Sequence, residues 1–148
     1  MLFTFGESSS YETRAYQVYL ILIGLAANNQ IIDCRLLRER MRIGIGPTLS
    51  NVLGRVVNWC IREGLPALTS LVVEKESGKP LTGLATVEND GFAAEQQRVF
   101  AFDWFSIMPP TLKELCGAGK YCVACRTPLN RLSSLWPVWT EYWPARAF

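Results

Sequence analysis

Asparagine and arginine side chains recur at helical spacing in the first half of the chain, and both residue types can recognise nucleic acid. Asn51, Arg55, Asn58 and Arg62 are separated by four, three and four positions, which places them on one stripe of a helix. In the major groove of DNA, asparagine forms paired hydrogen bonds with adenine and arginine does so with guanine. We therefore predict that this stripe, together with Thr48, faces the major groove. The alternative is a solvated polar face on a packed helix.

A second basic set lies just before this stripe. Arg35, Arg38 and Arg42 follow the i, i+3, i+7 spacing of a single helix face, and we predict that they contact phosphates, which carry no sequence information. The net charge of +2 conceals this set. Residues 35–62 contain six arginines and one acidic residue, Glu39, so this segment carries +5 and the remainder of the chain carries −3.

Five cysteines raise the question of a metal site. Cys122 and Cys125 have the spacing of a zinc knuckle, and Cys116 lies upstream. A closed zinc site requires four ligands, so Cys34 or Cys60 would have to complete it, because the chain has no histidine. We predict free thiols, with no metal and no cofactor, and the zinc site remains the alternative.

The sequence contains none of the common combinations of catalytic residues. The absence of histidine excludes Ser-His-Asp and Cys-His nucleophile systems. The carboxylates show no paired spacing for acid–base chemistry, and the glycine turn at residues 43–47 lacks the lysine of a phosphate-binding loop. These observations favour a binding protein over an enzyme, and they indicate no small-molecule substrate.

The end of the chain is rich in tryptophan. Trp136, Trp139 and Trp143 alternate with prolines, and large aromatic residues of this kind dominate protein interfaces. They are equally able to close over a hydrophobic core, which is the commoner position of tryptophan. Both interpretations, a protein-binding surface and a lid, remain open.

Capping and turn residues define the elements that must position these side chains. Ser9 and Glu12 form a capping-box pattern, Asp33 is a suitable N-cap, and Thr111 with Glu114 forms another capping box. The predicted helices cover residues 9–27, 34–42, 47–64, 91–102 and 111–116. Asp90 is the predicted N-cap of the fourth of these helices. The predicted strands cover residues 68–74 and 81–87.

The order of these elements predicts an α+β fold. A helix-turn-helix-like pair followed by a small β-hairpin is typical of a winged-helix-like core. We expect one domain over residues 1–115, with residues 116–148 forming a Cys/Trp-rich extension that packs on it.

The segment Ile31–Val73 resembles the winged-helix part of the alkyltransferase-like and alkylguanine-DNA alkyltransferase families. The resemblance rests on a short helix, a glycine-rich turn, the run Val52-Leu53-Gly54-Arg55, the pair Leu65-Pro66 and the pair Val72-Val73. The family's Pro-Cys-His-Arg run is missing, and Thr48 stands about where its arginine finger would be. The resemblance implies a winged-helix fold and a DNA-facing helix, and it does not imply alkyl transfer.

The sequence thus predicts a DNA-binding protein that acts through its basic helical segment. The alternative is a small protein-binding inhibitor or accessory factor that acts on a host protein complex, by analogy with small proteins of phages and mobile elements. The longest apolar run, Val18–Ala27, is about half of what a bilayer span requires, and the first ten residues lack the basic residue of a signal peptide. We expect a cytoplasmic protein without a membrane partner.

Overall fold

A computed structural model describes residues 10–44, 48–80 and 91–119, and this part of the chain is mostly helical. It contains five α-helices, one short 3₁₀ turn and a two-stranded parallel sheet, so the fold is α+β. In chain order the elements are α1 (Tyr11–Ala27), β1 (Ile32–Asp33), α2 (Cys34–Met41), α3 (Thr48–Arg62), the 3₁₀ turn Leu68–Leu71, β2 (Val72–Val73), α4 (Phe92–Ala101) and α5 (Leu112–Gly119).

Helix α1 provides one wall of the core, and its ends follow from local chemistry. Its N-cap is Ser10, whose hydroxyl accepts a hydrogen bond from the Thr13 amide, so the predicted cap at Ser9 is displaced by one residue. The predicted end at Ala27 is confirmed, and the Asn28 side chain donates to the Gly24 carbonyl there. Ser9 itself lies outside the described residues.

The core lies mainly between α1 and α3. Val18, Leu22, Leu53 and Val56 are fully buried, because apolar side chains recur on the facing sides of these two helices. Tyr19 on α1 packs edge to face against Trp59 on α3, with 5.4 Å between the ring centroids. This contact and the aliphatic cluster fix α3 against α1.

The predicted strand over residues 68–74 is only partly correct. Residues Leu68–Leu71 form a 3₁₀ turn, and β2 pairs in parallel with β1, with Ile32 opposite Val72. The only antiparallel bridge in the described part of the chain joins Val73 to Pro80. The predicted return strand, residues 81–87, lies outside the described residues. The coarser α+β prediction is confirmed, and the winged-helix arrangement stays a prediction.

Helix α4 explains why the 3₁₀ turn forms. The buried carboxylate of Glu95 accepts a hydrogen bond of 2.7 Å from the Ala67 amide, at the start of the turn. Gln96 donates from its side-chain amide to the Ser70 carbonyl at 2.8 Å. Helix α4 thus satisfies two backbone groups that a strand would pair with another strand. All four residues of the turn are buried.

Helices α2, α4 and α5 start at caps of different kinds. The predicted N-cap of α2 is confirmed, since the Asp33 carboxylate accepts a hydrogen bond from the Arg35 amide at 2.6 Å. Helix α4 has Gly91 at its N-cap with no side-chain bond, and Asp90, its predicted cap, lies outside the described residues. In α5 the capping box of Thr111 and Glu114 is confirmed.

Helix α5 continues beyond its predicted end near Cys116 to Gly119, so the expected domain limit between residues 115 and 116 lies inside this helix. Within the described ranges, none of the helices combines the length and the apolar content that a bilayer crossing requires.

Candidate nucleic-acid interface

Arg55, at the centre of the predicted recognition stripe, makes its contacts inside the protein. Its guanidinium forms an ion pair of 3.1 Å with Glu12 on α1. The same group donates to the backbone carbonyls of Leu115 and Cys116 on α5, at 3.1 and 3.3 Å, and it lies over the Tyr11 ring. Arg55 therefore joins three helices.

Arg62 lies closer to the surface and also contacts α5. Its Nε is 3.2 Å from the Glu63 carboxylate, and both of its terminal nitrogens are 3.4 Å from the Glu114 carbonyl oxygen. About two fifths of its side chain is exposed. The contacts of Arg62 are thus longer and more solvated than those of Arg55.

The remaining members of the stripe are covered to different degrees. Asn58 is 9% exposed and has an interaction partner, and Thr48 and Asn51 are half-buried near the start of α3. The structure therefore places the five predicted groove-facing residues on one helix, but α1 and α5 pack against that helix. In this arrangement α3 does not present the stripe as an open surface.

Two carboxylates near the arginines of α3, Glu12 on α1 and Glu114 on α5, have lowered pKa values. The pKa of Glu12 is lowered, mainly by a hydrogen bond from its own backbone amide and further by Ser10 and by Arg55. The pKa of Glu114 is lowered by the backbone and hydroxyl of Thr111, with a smaller contribution from Arg62. Both groups are therefore anionic at neutral pH and attract the arginines of α3.

The arginines of α2 are in a different situation. Arg35, Arg40 and Arg42 are exposed, and Arg38 is half-buried. None of the four forms an ion pair with a carboxylate in the described part of the chain. The Nε of Arg38 is buried without a hydrogen-bond partner.

Local geometry fixes where these arginines lie. Leu37 and Met41 are buried and attach α2 to the core, which turns the arginine positions outwards. Arg42 ends the helix in the left-handed conformation, with φ of 53°. Arg14 of α1 donates to the Met41 carbonyl at 3.0 Å and holds the end of α2 in place.

Arg40 was missed as a site residue by sequence reasoning. It lies outside the i, i+3, i+7 face of Arg35, Arg38 and Arg42, so periodicity alone did not select it. The signal that finds it is the local excess of arginine in residues 35–42. A shallow depression of about 420 Å³ adjoins this helix, and its lining carries Asp33 and Glu39 as well as Arg35 and Lys75. Its charges are balanced, so it indicates no preference for an anionic small molecule.

Cysteine chemistry does not contribute to this surface. Cys34, Cys60 and Cys116 are free thiols, and burial raises the pKa of Cys60 to about 12. Among the residues that the structure describes, no three potential ligands of the histidine, cysteine, aspartate and glutamate types gather to hold a metal ion. Two of the predicted thiols, Cys122 and Cys125, lie outside those residues. So do the three tryptophans of the predicted protein-binding surface, Trp136, Trp139 and Trp143.

Comparisons of the chain with protein-family models, curated proteins and solved structures found no match. The resemblance to the alkyltransferase-like families therefore stays a prediction. The functional proposal below rests on the geometry and charge of the described residues.

Proposed function

We propose that this protein binds nucleic acid through the arginines of α2, which contact backbone phosphates. The observation that carries the proposal is the set of four arginines within residues 35–42 that have no carboxylate partner in the described part of the chain. Arginine presents a planar fork of donors that matches the oxygens of a phosphate. A helix that carries three such side chains, with a fourth at its C-cap and one acid, Glu39, is suited to a polyanion.

The spacing of these side chains fits a phosphate backbone. Arg35 and Arg42 are seven residues apart, which corresponds to about 10 Å along a helix. That distance lets the α2 arginines engage more than one phosphate at a time. Because phosphates are the same at every base pair, binding through α2 is independent of base sequence.

Base recognition by α3 is not part of this proposal. Arg55 and Arg62, two of the residues expected to read bases, donate to carbonyls of α5, and Asn58 is buried. The proposal therefore retains the phosphate-binding role predicted for Arg35, Arg38 and Arg42 and adds Arg40. The affinity for nucleic acid then comes from the attraction between these arginines and the phosphates.

A binding titration with matched variants tests this proposal. Replacing Arg35 and Arg42 by glutamine removes two exposed positive charges, and we expect the affinity for a mixed-sequence duplex at low salt to fall at least ~10-fold. The control is Lys113→Gln, which removes an exposed positive charge on α5. We expect this control to bind within about twofold of the unmodified protein.

The proposal is wrong if the double variant binds as tightly as the unmodified protein. It is equally wrong if Lys113→Gln lowers the affinity as much as the double variant does. That result would assign the binding to net charge rather than to the surface of α2.

Protein binding is a second candidate, because the segment between α4 and α5 exposes large apolar side chains. Phe105 is 69% exposed, Met108 is 86% exposed, and Leu112 at the start of α5 is 48% exposed. Exposed apolar groups of this size are typical of protein interfaces. In a pull-down after nuclease treatment, we expect Met108→Ser to lose a protein that the unmodified chain retains, and undiminished capture would remove this candidate.

A further inference from the structure

The depression beside α2 lies between two segments of the chain. Helix α2 and its N-cap contribute Asp33, Arg35, Leu36 and Glu39, and the segment after β2 contributes Lys75. The volume of the depression is about 420 Å³, which lies within the range of small-molecule sites, roughly 300–1,000 Å³. It therefore has room for a group of the size of a nucleobase.

The depression holds charges of both signs without pairing them. Arg35 and Glu39 are one helical turn apart, a spacing at which opposite charges commonly pair. None of the four charged side chains of the lining forms an ion pair in the described part of the chain. Leu36, the apolar member of the lining, is 42% exposed. The depression thus offers hydrogen-bond acceptors, donors and an apolar surface to a single ligand.

Guanine is the nucleobase whose edges match this combination. Its N1–H and its exocyclic N2 amino group are adjacent donors, which suit a carboxylate, and its N7 and O6 are adjacent acceptors, which suit a cationic side chain. Adenine presents one donor and one acceptor on each of these edges, and the pyrimidines lack N7. The charges of the depression therefore favour guanine over the other bases.

We propose that the depression beside α2 is a subsite for one unpaired guanine base, and that the protein prefers guanine-containing single strands. Glu39 accepts from N1–H and from the N2 amino group, Lys75 donates to N7 and O6, and Leu36 packs against the face of the ring. This inference rests on the proposed function, because the arginines of α2 hold the phosphates of the same strand.

The position of Glu39 on α2 lets one strand use both surfaces. Glu39 lies four residues after Arg35 and three before Arg42, so the three share one face of the helix. Its negative charge repels phosphates but accepts the donors of a base, which puts the base at Glu39 and the phosphates at the arginines on either side. In a duplex the N1 and N2 edge of guanine is already paired, and only an unpaired base presents it.

A comparison of short DNA strands tests this inference by fluorescence anisotropy. The strands are an oligothymidine and the same strand with one central guanine or one central adenine. We expect the guanine strand to bind about 10-fold more tightly than the oligothymidine, and the adenine strand to bind within about twofold of it. Equal binding of the guanine strand and the oligothymidine overturns the inference and leaves phosphate binding by α2 intact.

Modified bases assign the two edges to their residues. Hypoxanthine lacks the N2 amino group and 7-deazaguanine lacks N7, and we expect each to bind about threefold more weakly than guanine. Glu39→Ala should remove the difference between guanine and hypoxanthine only, and Lys75→Gln should remove the difference between guanine and 7-deazaguanine only. A variant that leaves its own difference unchanged overturns the inference.

Glu76→Ala is the matched control for the change of charge. Glu76 is exposed, follows Lys75 in the chain and is not part of the lining of the depression. Each of the two glutamate variants removes one negative charge, so we expect each to raise the affinity for the oligothymidine by less than about threefold. Only Glu39→Ala should lose the preference for guanine, and an equal loss in Glu76→Ala shows that the depression is not the subsite.

The free nucleoside separates this inference from the proposed function. Guanosine carries the base without a phosphate, and in an NMR titration up to about 1 mM we expect it to shift the amide resonance of Glu39, whereas adenosine does not. If guanosine binds in this way and neither strand binds, the subsite stands and strand binding by α2 is wrong. If both strands bind and guanosine behaves as adenosine does, the role of α2 stands and the subsite is wrong.

Discussion

At the scale of single residues, burial separates side chains of the same type. Cys60 on α3 is fully buried, and burial raises its pKa to about 12, whereas Cys116 on α5 is exposed. Tyr19 shows the same effect, since burial raises its pKa to about 12 as well. The thiolate is the reactive form of cysteine, so these two cysteines differ in reactivity.

Alkylation measures this difference directly. With iodoacetamide at pH 8, we expect Cys116 to be modified in the folded protein and Cys60 to be modified only after denaturation, because Cys60 is buried as a neutral thiol. Peptide mapping by mass spectrometry assigns each site. Modification of Cys60 at the rate of Cys116 in the folded protein would contradict the position of Cys60 in the core.

At the scale of elements, local chemistry was predictable and distant pairing was not. Asn28, Asp33 and the pair Thr111–Glu114 act within a few residues of themselves, so the end of α1 and the starts of α2 and α5 follow from the sequence. The pairing of Ile32 with Val72 joins segments forty residues apart in the chain, and no local pattern specifies it.

The 3₁₀ turn shows how a neighbouring helix overrides a local preference. Leu71, Val72 and Val73 indicate a strand by their type, but Glu95 and Gln96 of α4 bond to the backbone at Ala67 and Ser70. Those bonds take the backbone groups that a longer strand would use. Tertiary context of this kind outweighs strand propensity, which is itself context-dependent.

The capping box of α5 makes a pH-dependent contribution to stability. The pKa of Glu114 is lowered in the folded protein, so its stabilising effect is present above the unfolded value near 4.5 and is lost as the pH falls through the folded value. We expect Glu114→Gln to lower Tm by roughly 2 °C at pH 7 and to have almost no effect near pH 3. Thermal unfolding at the two pH values measures this. An equal effect at both pH values would show that the charge of Glu114 does not stabilise α5.

At the scale of the whole molecule, the position of positive charge matters more than its total. Composition located a basic segment over residues 35–62, but it did not show which arginines are already engaged. The partners of Arg55 and Arg62 are Glu12 and backbone oxygens of residues 114–116, which lie far away in sequence. Backbone oxygens carry no residue-type signal, so only the fold reveals that α3 is covered and that α2 is free.

The two positively charged sets of arginines, on α2 and on α3, therefore differ in how freely they can contact a ligand. Arg35, Arg40 and Arg42 are exposed and have no carboxylate partner in the described part of the chain, whereas Arg55 is ion-paired with Glu12 and Arg62 with Glu63. The +2 net charge is compatible with phosphate binding because four arginines are concentrated within residues 35–42, on one short helix and its C-cap. The central claim is that α2 binds phosphates through these arginines.

The salt dependence of duplex binding tests that claim most directly. Fluorescence anisotropy with a mixed-sequence duplex, between about 50 and 200 mM salt, should give a log–log slope of about −2 to −3.6, which corresponds to two to four phosphate contacts. Arg35→Gln should reduce the steepness by about 1, and Lys113→Gln should leave it unchanged. A slope near zero, or a slope that Arg35→Gln does not alter, would contradict phosphate binding by α2.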